Sequence, residues 1–546
     1  MAVKYPQMID GRYIGGLSSW EQCQMILNTR GLDIVPNLKQ MVCDFPVELV
    51  QEAIDRKISI RSILKERGED VTPYIGALRN YQTTGVAFMY LSPRSIIADG
   101  CGLGKTAEIA GLINWLKYKG EMTRFLLACE NSAIGQLTYE LIRFTGLNII
   151  ALPSTTEKLR KEIERTDWNR VDGIVIKHSA LRNDYLYKWM ALNLDENKKC
   201  KIFNTFLLDE SSVIKKPDTK IYNYTKNICE IVTRVHFMNA TVFENNLFEV
   251  YTQVDMMNSE LLPKKWRIEK EYCNHSSSTY WTKQKDDNGV MKSVMHTRHA
   301  VSGYKNQEKF KKALELVYFG RSRKDIGIDL PHVYKVYEVL PTTAMNTAIG
   351  KGHRYNEVLN CPALLHDVPI EMTRKDIPKL DRLCELVENE FAEDSVMIYC
   401  FHLEAQKAIA EEMEKLGRKP VILNGQCDDE EKRTAQDGFN NGVYDTIITN
   451  IKKSLNLYGG DVCIFYSMES NPSKSFQIAS RIDRNVDDSI KTFVLLIYKD
   501  SPEYELFTHT VKQRAKDARD LTIDAKTTVD FFIEAMEQEQ NTEGNN

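Results

Sequence analysis

The chain has 546 residues, a length that favours two to four domains at roughly 150 residues each. Hydrophobic residues make up 42% and charged residues 27%, which is a globular composition and excludes a largely disordered or fibrous protein. The 72 Lys and Arg against 76 Asp and Glu give a net charge of −4, which excludes a protein that holds nucleic acid by bulk charge. Any nucleic-acid site must therefore be a local basic patch.

The start of the chain, MAVKYPQMIDGRYIGG, shows no basic stretch followed by an apolar one. No window reaches the ~18 uninterrupted apolar residues of a membrane span. We therefore expect a soluble cytoplasmic protein that is not secreted and does not use a membrane. The 12 cysteines are scattered without a CxxC pair, which favours reduced, buried thiols over a disulfide framework.

Alternating strand-like and helix-like runs divide the chain. Residues 1–75 form a small, partly helical accessory region without a chemical signature. Residues 76–262 contain the apolar runs SIIADG, RFLLACE, DGIVIKH, FNTFLLDE and RVHFMNA, separated by amphipathic helical stretches. Strands that alternate with helices predict a parallel sheet covered on both faces.

The alternation returns in residues 356–520, with SVMIYCF, KPVILNG, YDTIITN, DVCIFYS and KTFVLLIY. Residues 263–355 interrupt it and carry 18 Lys and Arg against 9 Asp and Glu, so they are predicted to form a basic insertion. The tail, residues 521–546, is acidic and is expected to be frayed or disordered. The predicted fold class is α/β, with two similar lobes and a cleft between them.

A phosphate-binding loop is predicted in SIIADGCGLGKTAEIAGLINWL, where a strand enters a glycine-containing turn and leaves as a helix. Gly102 and Gly104 let backbone N–H groups approach phosphate oxygens, Lys105 can reach the β and γ phosphates, and the Thr106 hydroxyl can bind Mg²⁺. Asp99 stands where the common GxxxxGK[ST] pattern has its first glycine. A glycine-rich turn with a chance lysine is the alternative interpretation.

An acidic pair, Asp209 and Glu210, ends the strand-like run FNTFLLDE. Asp209 would hold Mg²⁺, and Glu210 would orient or deprotonate the attacking water. In isolation such a pair is more often a helix cap, but its position about one hundred residues after a phosphate loop favours catalysis.

A basic helical motif, SFQIASRIDRN, lies in the second lobe. Gln477, Arg481 and Arg484 recur there at near-helical spacing and would share one face. A solvated basic helix would look the same. Arginines delivered across a cleft can instead neutralise charge on a transferring phosphoryl group.

These motifs, in this order, resemble the Swi/Snf-type DNA translocases of helicase superfamily two over residues 78–515. LRNYQTTGVAFM resembles the adenine-recognition segment, DGCGLGKT the phosphate loop, LLACENSAIGQLTYELIRF a nucleic-acid-contacting motif, and DESSVIKKP the acidic motif. FMNATVFENNLFEVYTQVDMMNSELL follows the third motif, and GRSRKDIGIDLP resembles the basic stretch before the second lobe. GYKNQEKF looks more like the compact phage and bacterial members, which would place the protein in a bacterial or phage-infected cytoplasm.

The resemblance implies two RecA-like lobes and ATP-driven translocation along double-stranded DNA by a monomer. It implies ATP and Mg²⁺ as cofactors, with Gln82 at the adenine and the nucleotide otherwise held by Gly102, Leu103, Gly104, Lys105 and Thr106. The DNA-contacting candidates that it implies are polar residues of both lobes: Asn131, Ser132, Lys177, His178, Gln426, Lys453 and Asn456.

The sequence departs from the family pattern mainly where nucleotide and DNA are coupled. Ser212 replaces a usual His of the acidic motif, Asn239 and Ala240 replace Thr and Gly of the third motif, Val242 replaces its Pro, and Ser454 replaces a glycine. Two alternative functions stay open: a strand-separating or RNA-directed helicase, and a nucleotide-sensing clamp on a polymerase, replication complex or other protein partner.

The basic insertion contains a CxH and an HxxH pair that could suggest a zinc site, formed by Cys273, His275, His296 and His299. Their spacing is not standard, and the second cysteine pair of structural zinc sites is missing. We interpret these residues as unrelated, and the metal prediction is Mg²⁺ only.

Overall fold

The computed structural model describes residues 8–9, 12–13, 37–239, 247–285, 291–314, 317–321, 326–327, 332–365, 370–451, 455–483, 489–521 and 528–543. The chain forms two compact units, the first built mainly from the chain up to Asp99 and from Gly104–Arg321, and the second mainly from Ser322–Lys516. Within the described ranges, none of the helices has the length and apolar character that crossing a membrane requires. The domain boundaries given above stay a prediction.

The first unit contains a seven-stranded parallel sheet. Its strands, together with two antiparallel pairs that lie outside the sheet, β1-β2 and β9-β10, are β1 (Met8–Ile9), β2 (Arg12–Tyr13), β3 (Arg94–Ile97), β4 (Phe125–Cys129), β5 (Ile149–Leu152), β6 (Gly173–Lys177), β7 (Thr205–Asp209), β8 (Arg234–Met238), β9 (Cys273–Lys285), β10 (Met291–Tyr304) and β11 (Tyr318–Phe319). The sheet order is β11-β3-β8-β7-β4-β6-β5, with every neighbour parallel. All five strands predicted for this lobe are present.

In the described part of the first unit, eleven α-helices connect or cover these strands. They are α1 (Val47–Arg56), α2 (Ile60–Arg67), α3 (Asn80–Leu91), α4 (Lys105–Tyr118), α5 (Ile134–Thr145), α6 (Thr156–Arg165), α7 (Tyr185–Ala191), α8 (Lys220–Ile231), α9 (Leu247–Met257), α10 (Lys265–Tyr272) and α11 (Gln307–Leu314). Since helices lie on both faces, a central strand is buried on both sides, and every residue of β4 is buried.

The accessory region packs into the core of the first unit. Leu49 and Val50 of α1 and Ile63 of α2 are buried in the same apolar cluster as Ile113 of α4 and Leu127 of β4. Residues 37–75 are therefore an integral layer on one face of the sheet.

The basic segment after Pro263 has regular structure. β9 and β10 form a separate antiparallel ribbon, in which His275 lies opposite Val301 and His299 lies opposite Ser277. After α11 the chain returns to the main sheet as its edge strand β11, with Phe319 opposite Ile97 of β3.

The second unit holds a six-stranded parallel sheet, ordered β12-β17-β16-β13-β15-β14. Its strands are β12 (Val333–Val339), β13 (Val396–Tyr399), β14 (Pro420–Leu423), β15 (Thr446–Thr449), β16 (Val462–Phe465) and β17 (Thr492–Tyr498). Its helices are α12 (Thr343–Gly350), α13 (Tyr355–Asn360), α14 (Pro378–Glu385), α15 (Leu403–Lys415), α16 (Asp429–Asn440), α17 (Pro472–Ala479), α18 (Pro502–Glu505), α19 (Lys512–Leu521) and α20 (Thr528–Glu543). The five strands predicted here are present, and the predicted α/β fold with two parallel sheets is confirmed.

The acidic tail is not frayed as expected. Residues 528–543 form α20, and Val529, Phe532, Ile533 and Met536 are buried in an apolar cluster of the second unit. Their spacing of three and four residues is helical, and the acidic residues between them made the segment look uniformly polar. The expectation of disorder was wrong for these residues.

The thiols follow the expected pattern in the described ranges. Each of the eleven cysteines described there is free, and all but Cys427 are buried. Burial raises the pKa of several of these thiols, to about 12 for Cys129 and for Cys400.

Candidate active site

The carboxyl edge of the first sheet brings the predicted phosphate loop and acidic pair together. Ile97 of β3, Met238 of β8 and Asp209 of β7 lie in register across three neighbouring strands. Since neighbouring strands are ~4.8 Å apart, Asp209 lies about 10 Å across the sheet from the strand that leads into the loop. Two motifs separated by a hundred residues thus share one edge.

The phosphate loop has the backbone that its glycines predict. Gly102 has φ 82° and Gly104 has φ 81°, a left-handed conformation that other residues rarely adopt. α4 begins directly afterwards at Lys105, so the N–H groups of its first turn face the loop. The local structure matches an anion-binding helix start.

Lys105 and Thr106 occupy the first turn of α4, and both are half-buried. The Lys105 ammonium donates a hydrogen bond to the backbone carbonyl of Asp99, with Nζ 2.8 Å from the oxygen. The lysine is therefore folded back over its own loop, where a phosphate group would accept from it.

Gln82, the adenine candidate, lies beside this turn. It is 7% exposed on α3, and its Oε1 accepts a hydrogen bond from the backbone N–H of Arg79 at 2.9 Å. A Cβ on Gly104 would come within 2.5 Å of Gln82 Nε2, so a side chain larger than glycine would collide there. The structure thus brings Gln82 to the start of α4.

The acidic pair ends β7 and is half-buried. Glu210 has φ 49° and ψ 56°, which is uncommon for a residue other than glycine and turns the chain sharply after Asp209. Such conformations cluster at functional sites, where they direct a side chain.

His178, predicted to contact DNA, has a different environment from the one expected of a DNA contact. It is 9% exposed, and its Nε2 lies 2.8 Å from the backbone carbonyl oxygen of Asp209. This placement favours a role in holding the acidic motif.

A buried charge cluster that the sequence did not reveal lies beneath the loop. Asp99, Glu108 and Arg321 are all at most 1% exposed, and the guanidinium is paired with both carboxyl groups. Burial and the neighbouring Asp99 carboxylate raise the pKa of Glu108 well above its usual range. Arg321 lies in the segment GRSRKDIGIDLP that the family resemblance marks as basic, but its pairing with Asp99 depends on β11 lying beside β3.

Two of the family departures can be located. Asn239 follows β8, is 1% exposed, and donates its backbone N–H to the carbonyl oxygen of Ile97 at 3.0 Å. Ser212 is half-buried in the turn after Glu210. Ala240, Val242 and Ser454 lie outside the described residues.

The other DNA candidates of the first unit lie at the same edge, after β4 and β6. Asn131 and Ser132 are exposed, and Lys177 is half-buried at the end of β6. The hydroxyl of Ser179 donates to Asn131 Oδ1 at 3.3 Å, so the loops after these two neighbouring strands are in contact. They form a polar surface next to the acidic pair.

In the second unit, Gln477 and Arg481 are buried, at 2% and 7% exposed. The Arg481 guanidinium donates to the carbonyl oxygens of Gln477 at 2.7 Å and Leu455 at 3.1 Å, which ties the end of α17 to the loop after β15. Arg484 lies outside the described residues.

The DNA candidates of the second unit follow two neighbouring strands. Gln426 comes after β14 and Asn456 after β15, and both are exposed. Lys453 lies outside the described residues.

The donor set of the predicted metal site fits Mg²⁺. Thr106 offers a hydroxyl and Asp209 a carboxylate, both half-buried oxygen donors. Mg²⁺ prefers oxygen ligands and is commonly held by one or two carboxylates together with phosphates and waters.

Comparison with known families gives two matches along the chain. Residues 81–365 match the SNF2-related domain, and residues 378–486 match the helicase conserved C-terminal domain. The first match alone covers more than half of the chain.

Curated relatives are distant and longer. The ATP-dependent DNA helicase DDM1 of Arabidopsis thaliana is 22% identical over 467 residues, or 75% of this chain and 57% of its own. The DNA excision repair protein ERCC-6-like of Bos taurus is 26% identical over 243 residues, 41% of this chain and 18% of its own. The chain thus spans less than two thirds of the length of these relatives.

Among solved structures, the chain is similar to the Sulfolobus solfataricus SWI2/SNF2 ATPase core in complex with dsDNA. That likeness has a TM-score of 0.39 and 19% identity, and it covers 85% of this chain and 96% of the other.

Proposed function

Because this chain belongs to the SNF2-related family of helicase-like ATPases, we propose that it is an ATP-dependent motor that translocates along double-stranded DNA. Its work would be to remodel DNA or protein–DNA complexes. The names of the relatives, a DNA helicase and a DNA repair protein, support DNA as the substrate class.

The observation that carries this proposal is the shared sheet edge of the first unit. Ile97, Met238 and Asp209 lie in register, so the loop with Lys105 and the acidic pair are two strands apart. Phosphoryl transfer needs a cradle for the phosphates and a carboxylate close by, and this spacing supplies both.

Each residue of the first unit has a proposed task in hydrolysis. The N–H groups at the start of α4 and the Lys105 ammonium bind phosphate oxygens, and Gln82 contacts the adenine. Thr106 and Asp209 hold Mg²⁺, which supplies charge neutralisation on the phosphates when bound. Glu210 orients the attacking water and accepts its proton.

DNA binding is proposed to depend on backbone phosphates, because a motor that travels along DNA must accept any sequence. Residues 263–355 carry 18 basic against 9 acidic residues, although the whole chain has a net charge of −4. This segregated charge, together with the polar loops bearing Asn131, Ser132 and Lys177, supports contact with a polyanion.

The decisive experiment pairs hydrolysis with a nucleic-acid titration. Wild type should hydrolyse ATP faster with duplex DNA than with single-stranded DNA or RNA, and it should displace the third strand of a triplex on that duplex. Lys105→Ala should abolish hydrolysis with every nucleic acid, because it removes the phosphate-binding ammonium. Near-normal turnover in Lys105→Ala would refute the site.

A second candidate is a nucleotide-sensing clamp that acts on a protein partner such as a polymerase or a replication complex. Asn239, buried between the loop strand and the acidic strand, favours it because this family departure sits where the two motifs meet. An ATP hydrolysis rate that no nucleic acid changes, together with co-purification of a defined protein, would support the clamp over the motor. Action as a monomer in the cytoplasm stays a prediction.

A further inference from the structure

Arg321 lies at a point where the sheet register sets opposite charges side by side. β11 and β3 are parallel, with Phe319 opposite Ile97, and each chain then continues two residues further to Arg321 and to Asp99. The backbone N–H of Ala98 donates to the carbonyl oxygen of Phe319 at 2.7 Å, which extends the pairing beyond the strands themselves. The ion pair between Arg321 and Asp99 follows from this register.

The guanidinium of Arg321 contacts three elements around the proposed nucleotide site. Its Nε donates to Asp99 Oδ1 at 3.1 Å, and its Nη2 donates to the other Asp99 oxygen. The same Nη2 donates to Glu108 Oε1 at 2.6 Å, while Nη1 donates to the backbone carbonyl of Tyr81. One side chain thus joins the first residue of the loop, the helix after the loop, and α3.

Asp99 passes this constraint on to the phosphate-binding lysine. Its carboxylate is held by Arg321, and its backbone carbonyl accepts the hydrogen bond from Lys105 Nζ. The residue that replaces the first glycine of the loop pattern is therefore bound through its carboxylate by Arg321 and through its carbonyl by Lys105.

A glycine in α3 makes the arrangement possible. A Cβ on Gly85 would lie 2.6 Å from Glu108 Oε1 and 2.9 Å from Arg321 Nη2. The helix that carries Gln82 can therefore approach the charged cluster only at a residue without a side chain.

A buried ion pair can also serve stability alone. Lys379 and Glu503 of the second unit are such a pair, almost completely buried with Nζ 2.9 Å from Oε2. Arg321 differs because its partners belong to the proposed nucleotide site. Tyr81 directly precedes Gln82, and Asp99 begins the loop and accepts a hydrogen bond from Lys105. Mere stabilisation and positioning therefore predict different effects on ATP affinity.

We propose that Arg321 is a positioning residue for ATP binding, which fixes the loop through Asp99 and sets α3 against α4. The inference rests on the proposed phosphate-loop function. It also means that the basic segment itself contributes a residue to the ATP site, since Arg321 lies two residues after the end of β11. Errors of about 1 Å in such positioning can cost about 100-fold in activity.

The test compares Arg321→Met, which keeps the length without the charge, with Arg321→Lys and with the control Lys379→Met. The full chain is titrated with a fluorescent ATP analogue at a temperature where each variant is folded, and the steady-state KM for ATP is measured. Arg321→Met should weaken analogue binding at least tenfold. Arg321→Lys, which keeps the charge and a bond to Asp99, should recover part of that loss.

The control Lys379→Met should lower the melting temperature while changing analogue affinity less than twofold. If Arg321→Met lowers the melting temperature but binds the analogue within twofold of wild type, the positioning role is refuted. Wild type that fails to bind the analogue, or Lys105→Ala that binds it normally, would refute the proposed function instead.

If Arg321→Met does not fold, the variant Gly85→Ala tests the positioning role without removing a charge. Alanine favours a helix, so any loss must come from crowding of Arg321 and Glu108. Analogue binding weakened several-fold would support the positioning role, and unchanged binding would refute it.

Discussion

Replacing His236 with asparagine should remove a specific pH dependence from the stability of the first unit. His236 lies on β8 and is fully buried, with Nδ1 2.8 Å from the hydroxyl of Ser95 on β3. Its Nε2 is also buried, and the described residues offer it no hydrogen-bond partner. A protonated ring would leave an N–H without an acceptor in an apolar core.

The direction of the effect follows from linkage. Burial, together with the positive charges of Arg234 and Arg94, lowers the pKa of His236 well below its usual 6.5. Below pH 6.5 the unfolded chain therefore takes up a proton that the folded chain does not. The stabilising effect of the neutral ring is complete above pH 6.5 and is lost as the pH falls.

The magnitude is about 1.4 kcal/mol for each pH unit, because one proton is involved. From pH 6.5 to pH 5.0 wild type should lose about 2 kcal/mol through this group. His236→Asn loses buried volume and is less stable at pH 7.5, by about 2 kcal/mol. It lacks the titration, so the gap between variant and wild type should close as the pH falls.

Hydrogen exchange of amides in β7, which pairs with β8, measures this gap. The intrinsic exchange rate cancels between variant and wild type at one pH only in peptides without the substituted residue, so the neighbouring strand, Thr205–Asp209, is followed as the reporter on this sheet. Ser95→Ala is the matched control, since it removes the bonding partner but leaves the ring. It should be less stable at all pH values and keep the wild-type slope. Equal slopes for His236→Asn and wild type would refute the reasoning.

Three further predictions concern the second unit. Arg484→Ala should leave ATP-analogue binding unchanged but slow hydrolysis strongly. An unchanged single-turnover rate of hydrolysis would show that Arg484 takes no part in the reaction. Phe532→Ala, which opens a cavity beside Tyr334, should destabilise the second unit by about 3–5 kcal/mol, measured as faster exchange of β16 amides. Glu503→Gln leaves Lys379 buried without a counter-charge and should cost about 3–5 kcal/mol, so an unchanged melting temperature would contradict the ion pair.

Much of the fold could be predicted because its strands are continuous apolar runs. FLLAC of β4 is buried on both faces, and such a run is typical of a strand in a parallel sheet covered on both sides. The same local logic failed for α20, where four apolar residues among acidic ones were judged by composition rather than by helical period.

Contacts between residues far apart in the chain could not be predicted from the sequence. Arg321 and Asp99 are 222 residues apart, and the two-residue strand β11 that brings them together is too short to recognise. The loop and the acidic pair could be predicted because local chemistry marks each. The bond between His178 and the carbonyl of Asp209 could not, since a buried histidine and an exposed one look alike in a sequence.

The measurement that tests the central claim most directly is the ATPase rate of the full chain titrated separately with duplex DNA, single-stranded DNA and RNA. A DNA-translocating motor predicts the largest stimulation by duplex DNA and triplex displacement that depends on ATP and Lys105. A rate that no nucleic acid changes, or one that only RNA raises, would contradict it.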